Sequence, residues 1–404
     1  MTVGKNKRER SILIAKLAIL SRLICIALSS MSAFGLTSVV ERSSIVVKNI
    51  NQESFVDMFI LAHVQWDSLH FLNIATRGYE TVLAHAFLPG LPLVMRSFSF
   101  VFPWGPADPV RKLALLGFVF VNISFVVAAI GLYKLSCYLL KSENRAFRAT
   151  LFFVFTPASP FMSSLYNESP FAMLTFWGLY WLISQDNFFL GSLLLASATL
   201  FRSNGILAIV FVIWFGVLKS RSRLIETVFG SSSVYLPYHL FSTWSKNVYC
   251  ETVSPAPNWC ATDSIYGYVQ RTFWKVFPLG YYRLRNMPQF LLMLPALIVC
   301  ICAAVYFLQD MRTETRKVSG NVLTYVLSQW TFPFLAQLGV LTAFTLFVAN
   351  VQILTRLVVS CPLYFWTMER FTRGGSLLSR VVMVVHLVFI VIGPILHSVG
   401  FNWT

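Results

Sequence analysis

The residues of this chain that can take part in chemistry are a few charged side chains at the ends of long apolar stretches. Two are carboxylates, Asp67 in the polar segment 66–96 and Glu168 just before Pro170. Two are guanidiniums, Arg202 and Arg356. A carboxylate can take the proton of a reacting hydroxyl, and a guanidinium is planar, permanently charged and suited to phosphate. Because an ionisable group at membrane depth is costly, each of these is a candidate functional residue.

Amide, imidazole and indole side chains accompany these charges. Gln352 and Arg356 are four residues apart, a spacing that puts both on one face of a helix. The full set of candidate site residues is Trp66, Asp67, His70, His85, Asn167, Glu168, Arg202, Asn204, Gln352 and Arg356. Their segments are expected to share one side of a membrane, which is the pattern of a membrane enzyme with an extracytosolic site.

Each candidate also has a purely structural interpretation. Asp67 can cap a short helix that Gly78 ends. Glu168 can cap the helix that begins near Pro170. Arg202 can be a snorkelling anchor, and a lone histidine is more often a packing residue than a substrate ligand. The residues alone leave these alternatives open.

The composition indicates the class of protein. The chain has 404 residues, of which 56% are hydrophobic and only 12% charged, and its mean hydropathy is +0.67. A soluble protein carries about 25% charged residues. The formal net charge of +16 fits Lys and Arg gathered at the cytosolic membrane edges, and a basic surface also suits a phosphate-bearing lipid. No basic segment has the pattern of a nucleic-acid binder, so we predict an integral membrane protein without a nucleic-acid partner.

Apolar runs and helix breakers predict an all-α polytopic membrane protein of about eleven transmembrane helices, with residues 1–404 forming a single multi-spanning membrane domain. The predicted spans are roughly Ile12–Leu36, Leu113–Leu140, Ala146–Phe161, Phe171–Ile183, Phe188–Leu200, Ile206–Leu218, Leu224–Leu240, Phe290–Leu308, Leu323–Val348, Ile353–Trp366 and Val381–Val399. Several are shorter than the roughly 20 residues of a full crossing, which predicts broken or tilted helices.

The distribution of basic residues predicts the orientation. The basic N-terminus places the first side of the membrane in the cytosol. Alternation through the spans then puts the compact basic clusters on that side and two large loops, 41–110 and 243–288, on the lumenal side. The first loop carries Asp67, and its Pro/Gly turn, Phe87–Leu93, is expected to be a re-entrant bend that orders the loop.

The cysteines indicate an oxidising compartment for the second loop. Cys250 and Cys260 are ten residues apart in it and predict a disulfide. The other five cysteines lie in predicted spans and are expected to be packing residues. No His/Cys/Asp spacing resembles a zinc site, so no metal is predicted.

Seven short motifs occur together in an order that resembles one known family. They are Trp66–Tyr79, Phe87–Pro92, Tyr166–Glu168, Arg202–Gly205, Pro257–Cys260, Tyr268–Gln270 with Trp274, and Gln352–Arg356. With this set the chain resembles the PIG-V type family, GPI mannosyltransferase 2, over nearly its whole length. The chain departs from the family in three minor ways. The family typically has an acidic residue near Thr76 and an aromatic residue in place of Leu88, and relatives often have Ser or Thr in place of Asn167.

The resemblance implies a GT-C-like fold and an endoplasmic-reticulum membrane enzyme with a lumenal active site. It implies transfer of mannose from dolichyl phosphate mannose to the first mannose of a GPI-anchor precursor, through an α-1,6 bond. The lipid-linked sugar is then the donor substrate, no tightly bound cofactor is expected, and the metal requirement stays open. A small accessory membrane subunit is the further partner expected in a fungus.

The implied chemistry assigns roles to the candidate residues. A β-linked donor and an α product require one inverting displacement, with a base for the acceptor hydroxyl and cations for the departing phosphate. We expect Asp67 to be the base and Glu168 to position the acceptor or share that role. Arg202 or Arg356 would hold the phosphate. The remaining candidates, Trp66, His70, His85, Asn167, Asn204 and Gln352, are expected to bind substrate.

Three other functions compete with this one. Another dolichyl-phosphate-sugar transferase, with a different acceptor, would be distinguished only by its choice of acceptor. A polytopic lipid transporter would be expected to show inverted repeats and ionisable groups at the midplane, whereas no repeat is evident here and the polar residues gather on one face. A non-catalytic scaffold subunit would not need two acids and two arginines on that face.

Overall fold

The computed structural model describes residues 2–35, 54–103, 106, 108–219, 223–257, 259–262, 264–315 and 322–401. Within these ranges the secondary structure is helical and contains no strand. The all-α prediction is therefore confirmed for the described chain.

The helices are numbered here in chain order. They are α1 (Thr2–Gly35), α2 (Phe55–His63), α3 (Asp67–Arg77), α4 (Gly90–Val101), α5 (Pro109–Leu140), α6 (Glu143–Val154), α7 (Ser159–Ser163), α8 (Glu168–Leu179), α9 (Phe188–Thr199), α10 (Ile209–Ile213), α11 (Leu224–Thr252), α12 (Trp259–Thr262), α13 (Ile265–Thr272), α14 (Met287–Thr315), α15 (Val322–Ser328), α16 (Phe332–Phe347), α17 (Leu354–Leu357), α18 (Pro362–Arg373) and α19 (Leu377–Ser398). Short 3₁₀ and π turns extend or interrupt several of them.

Four described helical stretches are long and apolar enough to cross a membrane, which makes this a polytopic membrane protein. They are Lys7–Gly35, Pro109–Leu140, Leu284–Thr313 and Leu377–Ser398. A fifth crossing is possible if Val351–Ser360 and Pro362–Arg373, bent by 97°, count as one span. The predicted number of eleven is not reproduced by helix length and hydropathy. Several of the predicted spans are shorter apolar helices of 10–17 residues, namely Phe188–Thr199, Ser203–Lys219 and Phe332–Phe347.

The two predicted loops contain regular structure. In the described part of 41–110, three helices, α2, α3 and α4, are formed, while residues 41–53 lie outside the described residues. Before the second loop, α11 continues to Thr252, although the apolar run predicted its end near Leu240. Hydropathy reports where a segment can contact lipid, whereas a helix continues through polar residues as long as its backbone hydrogen bonds are made.

The core consists of two clusters of buried apolar side chains. The larger lies among α1, α5, α6, α8, α14, α16 and α18, and the smaller holds α2, α3 and α4 against α5. The smaller cluster includes Leu72, Leu91 and Met95, all completely buried. The loop helix that carries Asp67 is thus packed against the membrane helices by apolar contacts.

A buried arginine fixes the helix α1 to the segment that precedes the Tyr-Asn-Glu motif. Arg22 is 3% exposed. Its Nη1 donates to the carbonyl oxygen of Ser159 (3.1 Å) and to Oγ of Ser163 (2.9 Å), and its Nη2 donates to Oγ of Ser159 (2.9 Å). The guanidinium also lies 3.8 Å from the ring centroid of Phe125. Hydrogen bonds and the aromatic face therefore take the place of an acidic partner.

Replacing this side chain tests its structural importance. Arg22→Ala is expected to lower the free energy of unfolding by about 3 kcal/mol, because several charge-assisted hydrogen bonds are lost. The measurement is thermal unfolding in detergent micelles. Arg8→Ala, in an exposed part of the same helix, is the control and is expected to leave the midpoint unchanged. Equal midpoints for the two variants would contradict this account of α1.

Candidate active site

Eight of the ten candidate residues line one cavity of about 490 Å³. They come from four chain segments that are far apart in sequence: Trp66 and Asp67, Asn167 and Glu168, Arg202 and Asn204, and Gln352 and Arg356. The volume is within the range of small-molecule sites, about 300–1,000 Å³. Polar groups from distant segments that converge in one cavity of this size form a candidate active site.

The centre of the cavity wall is a chain of four charged side chains. Oε1 of Glu168 accepts hydrogen bonds from Nη1 of Arg202 and from Nε of Arg356, the latter at 2.8 Å. Nη2 of Arg356 in turn donates to Oδ2 of Asp67 at 2.9 Å. The order is therefore Arg202, Glu168, Arg356, Asp67, and the two acids balance the two guanidiniums.

The two acids differ in their surroundings. The Glu168 side chain is 1% exposed and is shared by both arginines. The Asp67 side chain is 35% exposed and bonds to one arginine. A buried carboxylate with two guanidinium partners is held in its charged form and in one orientation. Asp67 is the acid that keeps access to the cavity, and Glu168 is the one that organises the cations.

Aromatic rings support Arg356 from the other side. The guanidinium carbon lies 4.5 Å from the ring centroid of Phe161 and 5.1 Å from that of Tyr166. The Tyr166 hydroxyl donates to the carbonyl oxygen of Gln65 at 3.0 Å. One tyrosine therefore contacts both the arginine and the residue that leads into the Asp67 helix.

Asp67 is placed by the backbone that precedes α3. The helix begins at Asp67, its N-cap is Trp66, and no side-chain hydrogen bond caps it. Trp66 has φ of +52°, in the left-handed region that bulky residues rarely adopt. The capping interpretation of Asp67 is wrong, since its carboxylate bonds to Arg356 instead. Gly78 ends the helix as predicted, with φ of +89°.

Glu168 is not a helix cap either. α8 begins at Glu168, its N-cap is Asn167, and no side-chain hydrogen bond caps it. Instead, Nδ2 of Asn167 donates to the carbonyl oxygen of Phe201 at 2.7 Å. This neutral hydrogen bond joins the Tyr-Asn-Glu segment to the turn that carries Arg202, next to the ion pair.

The Arg202 turn is also held by the Pro/Gly turn of the first loop. The backbone N–H of Gly90 donates to the carbonyl oxygen of Leu200 at 2.9 Å. A Cβ atom at Gly90 would lie 2.8 Å from that oxygen and 2.9 Å from the Phe201 ring, so the approach requires glycine. Nε of Arg202 donates to Oδ1 of Asn204 at 3.3 Å, which orients the guanidinium.

Gln352 and Arg356 both line the cavity, although no regular α-helix joins them. A 3₁₀ turn, Val351–Ile353, leads into the short helix α17. Oε1 of Gln352 accepts a hydrogen bond from the Tyr281 hydroxyl at 2.8 Å. Gln352 thus connects the cavity wall to the chain that leads into α14.

The two histidines of the first loop do not line the cavity. His70 stacks on Phe87 with centroids 4.7 Å apart, and His85 is buried against Tyr79 at 5.1 Å. Burial lowers the pKa of both imidazoles, and the nearby Asp67 carboxylate offsets this in part for His70. Both are therefore neutral near pH 7, and their contacts are those of packing residues.

The structure adds cavity residues that the sequence did not single out. Phe161, Tyr266 and His397 line the cavity, and Nε2 of His397 lies 3.4 Å from the Tyr166 hydroxyl. A histidine in the apolar helix α19 is a polar residue at membrane depth, a signal that His397 shares with His386 of the same helix. Tyr268, which belongs to the family motif Tyr268–Gln270, instead stacks on Trp259 with ring centroids 4.8 Å apart.

Cys250 and Cys260 form a disulfide that joins α11 to the short helix α12. The other five cysteines are free and at least partly buried. Among the residues that the structure describes, no three His, Cys, Asp or Glu side chains are grouped as metal ligands would be.

Comparison with known proteins gives consistent matches. The model of a family described as mannosyltransferase (PIG-V) matches residues 10–374. A GPI mannosyltransferase 2 of Cryptococcus neoformans is 27% identical over 328 residues, which cover 75% of this chain and 76% of the relative. The GPI alpha-1,6-mannosyltransferase 2 of Rattus norvegicus is 29% identical over 355 residues, which cover 75% of this chain and 71% of the relative. The GPI alpha-1,6-mannosyltransferase 2 of Homo sapiens is 28% identical over 368 residues, which cover 77% of this chain and 74% of the relative.

The difference in burial and ion pairing between Glu168 and Asp67 predicts different losses of stability when each charge is removed. Glu168→Gln is expected to lower the free energy of unfolding by about 3 kcal/mol, because it removes a buried anion that two partly buried guanidiniums share. Asp67→Asn removes a partly exposed partner and is expected to cost about 1 kcal/mol or less. Thermal unfolding of both variants in the same detergent is the measurement. If Asp67→Asn destabilised the protein as much as Glu168→Gln, the distinction would be wrong.

Proposed function

The chain belongs to the mannosyltransferase (PIG-V) family, and from this we propose that it adds the second mannose of a GPI-anchor precursor, taking the sugar from dolichyl phosphate mannose. The family resemblance of the sequence is confirmed, and the chain is a glycosyltransferase that transfers mannose. The α-1,6 linkage follows the names of the relatives from Rattus norvegicus and Homo sapiens.

The observation that supports this reaction best is the charge chain of Arg202, Glu168, Arg356 and Asp67 in one cavity. Mannosyl transfer with inversion needs a carboxylate beside the acceptor hydroxyl and cations beside the departing phosphate. Asp67, the more exposed acid, takes the hydroxyl proton as the acceptor oxygen attacks the anomeric carbon. Glu168 holds both guanidiniums in place.

The two arginines then have different tasks. In an inverting displacement the attacking oxygen and the leaving phosphate lie on opposite faces of the sugar. Arg356 bonds directly to Asp67 and therefore stands beside the base. Among the ion pairs described, Arg202 is joined to Asp67 only through Glu168 and Arg356. Arg202 is the better placed phosphate ligand, since a guanidinium with five N–H groups has donors left after bonding Glu168 and Asn204.

The cavity has apolar as well as polar walls, as a lipid-linked sugar requires. Val276, Leu341, Phe344 and Leu357 are among its lining residues. Sugar and phosphate would lie at the charged end, beside Asp67, and the isoprenoid chain of the donor would leave along the apolar side chains. Hydrocarbon needs only such walls, because its binding is non-directional.

The topology proposed with this function has the N-terminus in the cytosol and the site in the lumen of the endoplasmic reticulum. About eleven spans would carry loops 41–110 and 243–288 on the lumenal side. The Cys250–Cys260 disulfide supports this side for the second loop, because disulfides persist in oxidising compartments. A small accessory membrane subunit remains a prediction for a fungal protein.

The competing functions receive less support. A lipid transporter is not favoured by a match to a mannosyltransferase family over residues 10–374. A transferase with another acceptor would keep the same base and the same phosphate ligands, and acceptor choice therefore has to be measured directly.

Mannose transfer by purified protein in liposomes tests the function and the base together. The substrates are dolichyl phosphate mannose and a one-mannose GPI precursor, with any accessory subunit supplied. Asp67→Asn is expected to reduce kcat by at least about 100-fold, because it keeps the shape of the side chain and removes the base. Glu80→Gln, an exposed carboxylate in the same loop, is the matched control and should retain activity.

Each result leads to a different conclusion. Transfer by the wild type and by Glu80→Gln, but not by Asp67→Asn, supports both the reaction and the base. Near-normal turnover by Asp67→Asn would still support the proposed reaction, but it would make Glu168 the next candidate for the base. No transfer by folded wild type with its subunit contradicts the acceptor assignment.

The separate tasks of the arginines predict different kinetic effects. Arg202→Gln is expected to raise KM for dolichyl phosphate mannose by roughly tenfold or more, because a charged hydrogen bond to phosphate is lost. Arg356→Gln is expected to act mainly on kcat, because it releases the base. Steady-state kinetics with the donor as the varied substrate distinguishes the two. The reverse pattern would exchange the two roles.

A further inference from the structure

A basic segment runs beside the cavity, and the reaction proposed above gives it no task. Residues 271–287, called here the basic strip, contain Arg271, Lys275, Arg283 and Arg285 and no acidic residue. All four basic side chains are exposed. A sequence of this length with four cations and no anion carries a positive field that a partner of negative charge can complement.

Large apolar side chains on the strip are exposed between the cations. Leu284 is 90% exposed and Leu279 60%, and Phe273, Tyr282 and Met287 are exposed as well. In water such a surface would be unfavourable. Interleaved cations, aromatic rings and aliphatic side chains are characteristic of segments that lie in the headgroup region of a bilayer.

The strip is attached at both ends to parts of the molecule that define its position. At one end, Trp274 and Val276 line the cavity. At the other, the strip leads into Leu284–Thr313, one of the stretches long and apolar enough to cross a membrane. It therefore lies where a span leaves the hydrocarbon, next to the cavity.

Contacts with the body of the protein hold the strip in this orientation. The backbone N–H of Leu279 donates to the carbonyl oxygen of Phe347 at 2.7 Å. The Tyr281 hydroxyl donates to Oε1 of Gln352 at 2.8 Å, and the Trp274 ring packs edge-on against Phe87 with centroids 5.8 Å apart. Inward contacts are made by aromatic residues and backbone, which leaves the cations facing outward.

We infer that the basic strip binds the phosphate headgroups of anionic lipids in the leaflet that borders the site. Its aromatic and aliphatic side chains enter the interface, and Lys275, Arg283 and Arg285 contact lipid phosphates. Headgroups bearing phosphate are thereby concentrated beside the cavity. This assignment is independent of which sugar is transferred, and it is measured without turnover.

A photo-cross-linking experiment tests the strip directly. A benzophenone amino acid replaces Leu284 in the full-length protein, which is reconstituted in nanodiscs of equal parts phosphatidylcholine and phosphatidylinositol. After illumination, lipid adducts are identified by mass spectrometry. With all four cations of the strip present, the adducts are expected to be enriched in phosphatidylinositol over its share of the bilayer. The reason is that each Lys or Arg near an anionic membrane surface strengthens the association by roughly fivefold. The enrichment should fall as salt concentration rises.

Two triple variants provide the comparison. Lys275→Gln, Arg283→Gln and Arg285→Gln together are expected to reduce the enrichment several-fold. The matched control combines Lys141→Gln, Arg373→Gln and Arg380→Gln, three exposed cations elsewhere on the molecule. The two triple variants also match in backbone conformation, because each replaces one lysine with a positive φ. These are Lys141 in the control (+50°) and Lys275 in the strip (+55°). The control is expected to keep the wild-type enrichment.

Two results would overturn the proposal. Absence of lipid adducts at position 284 would mean that the strip faces water or requires a protein partner. Adducts in the ratio of the bulk lipids, insensitive to salt in the wild type, would mean that the cations do not select phosphate headgroups. The salt dependence is read on the wild type, so the test holds even if the strip variant folds poorly.

Discussion

The carboxylate of Glu168 holds together the charged wall of the cavity. It is almost completely buried and accepts hydrogen bonds from two guanidiniums that belong to distant segments, Arg202 and Arg356. An unpaired ion in such surroundings would be very costly. One anion therefore determines where both cations stand, and through Arg356 it also determines where Asp67 stands.

Neutral contacts build the frame around these charges. The Tyr166 hydroxyl bonds to the backbone before Asp67, and the Asn167 amide bonds to the backbone before Arg202. The left-handed backbone of Trp66 is a conformation of the kind found where a site constrains the chain. Uncharged groups therefore hold the segments that carry the charge chain.

The protein combines two electrostatic environments, one in the cavity and one on the strip beside it. In the cavity, two acids and two arginines balance each other, so in the proposed reaction a departing phosphate would meet oriented N–H groups with little reorganisation. Outside, the sequence of the basic strip contains cations and no acidic residue, in a region where water and lipid headgroups screen charges. The buried charges suit directional chemistry, while the exposed ones suit attraction of phosphate-bearing lipid.

The sequence by itself determined the membrane class and the helical fold, because hydropathy and the cost of a charge at membrane depth are local properties. It also predicted ten site residues, of which eight line the cavity. Only the tertiary structure decided which candidates meet. It placed His70 and His85 in packing contacts, brought His397 of α19 to Tyr166, and distinguished the partly exposed Asp67 from the buried Glu168. Helix ends such as Thr252 also differed from the hydropathy boundaries. The physical reason is that burial and ion pairing depend on contacts between residues far apart in the chain, which side-chain types and spacing do not specify.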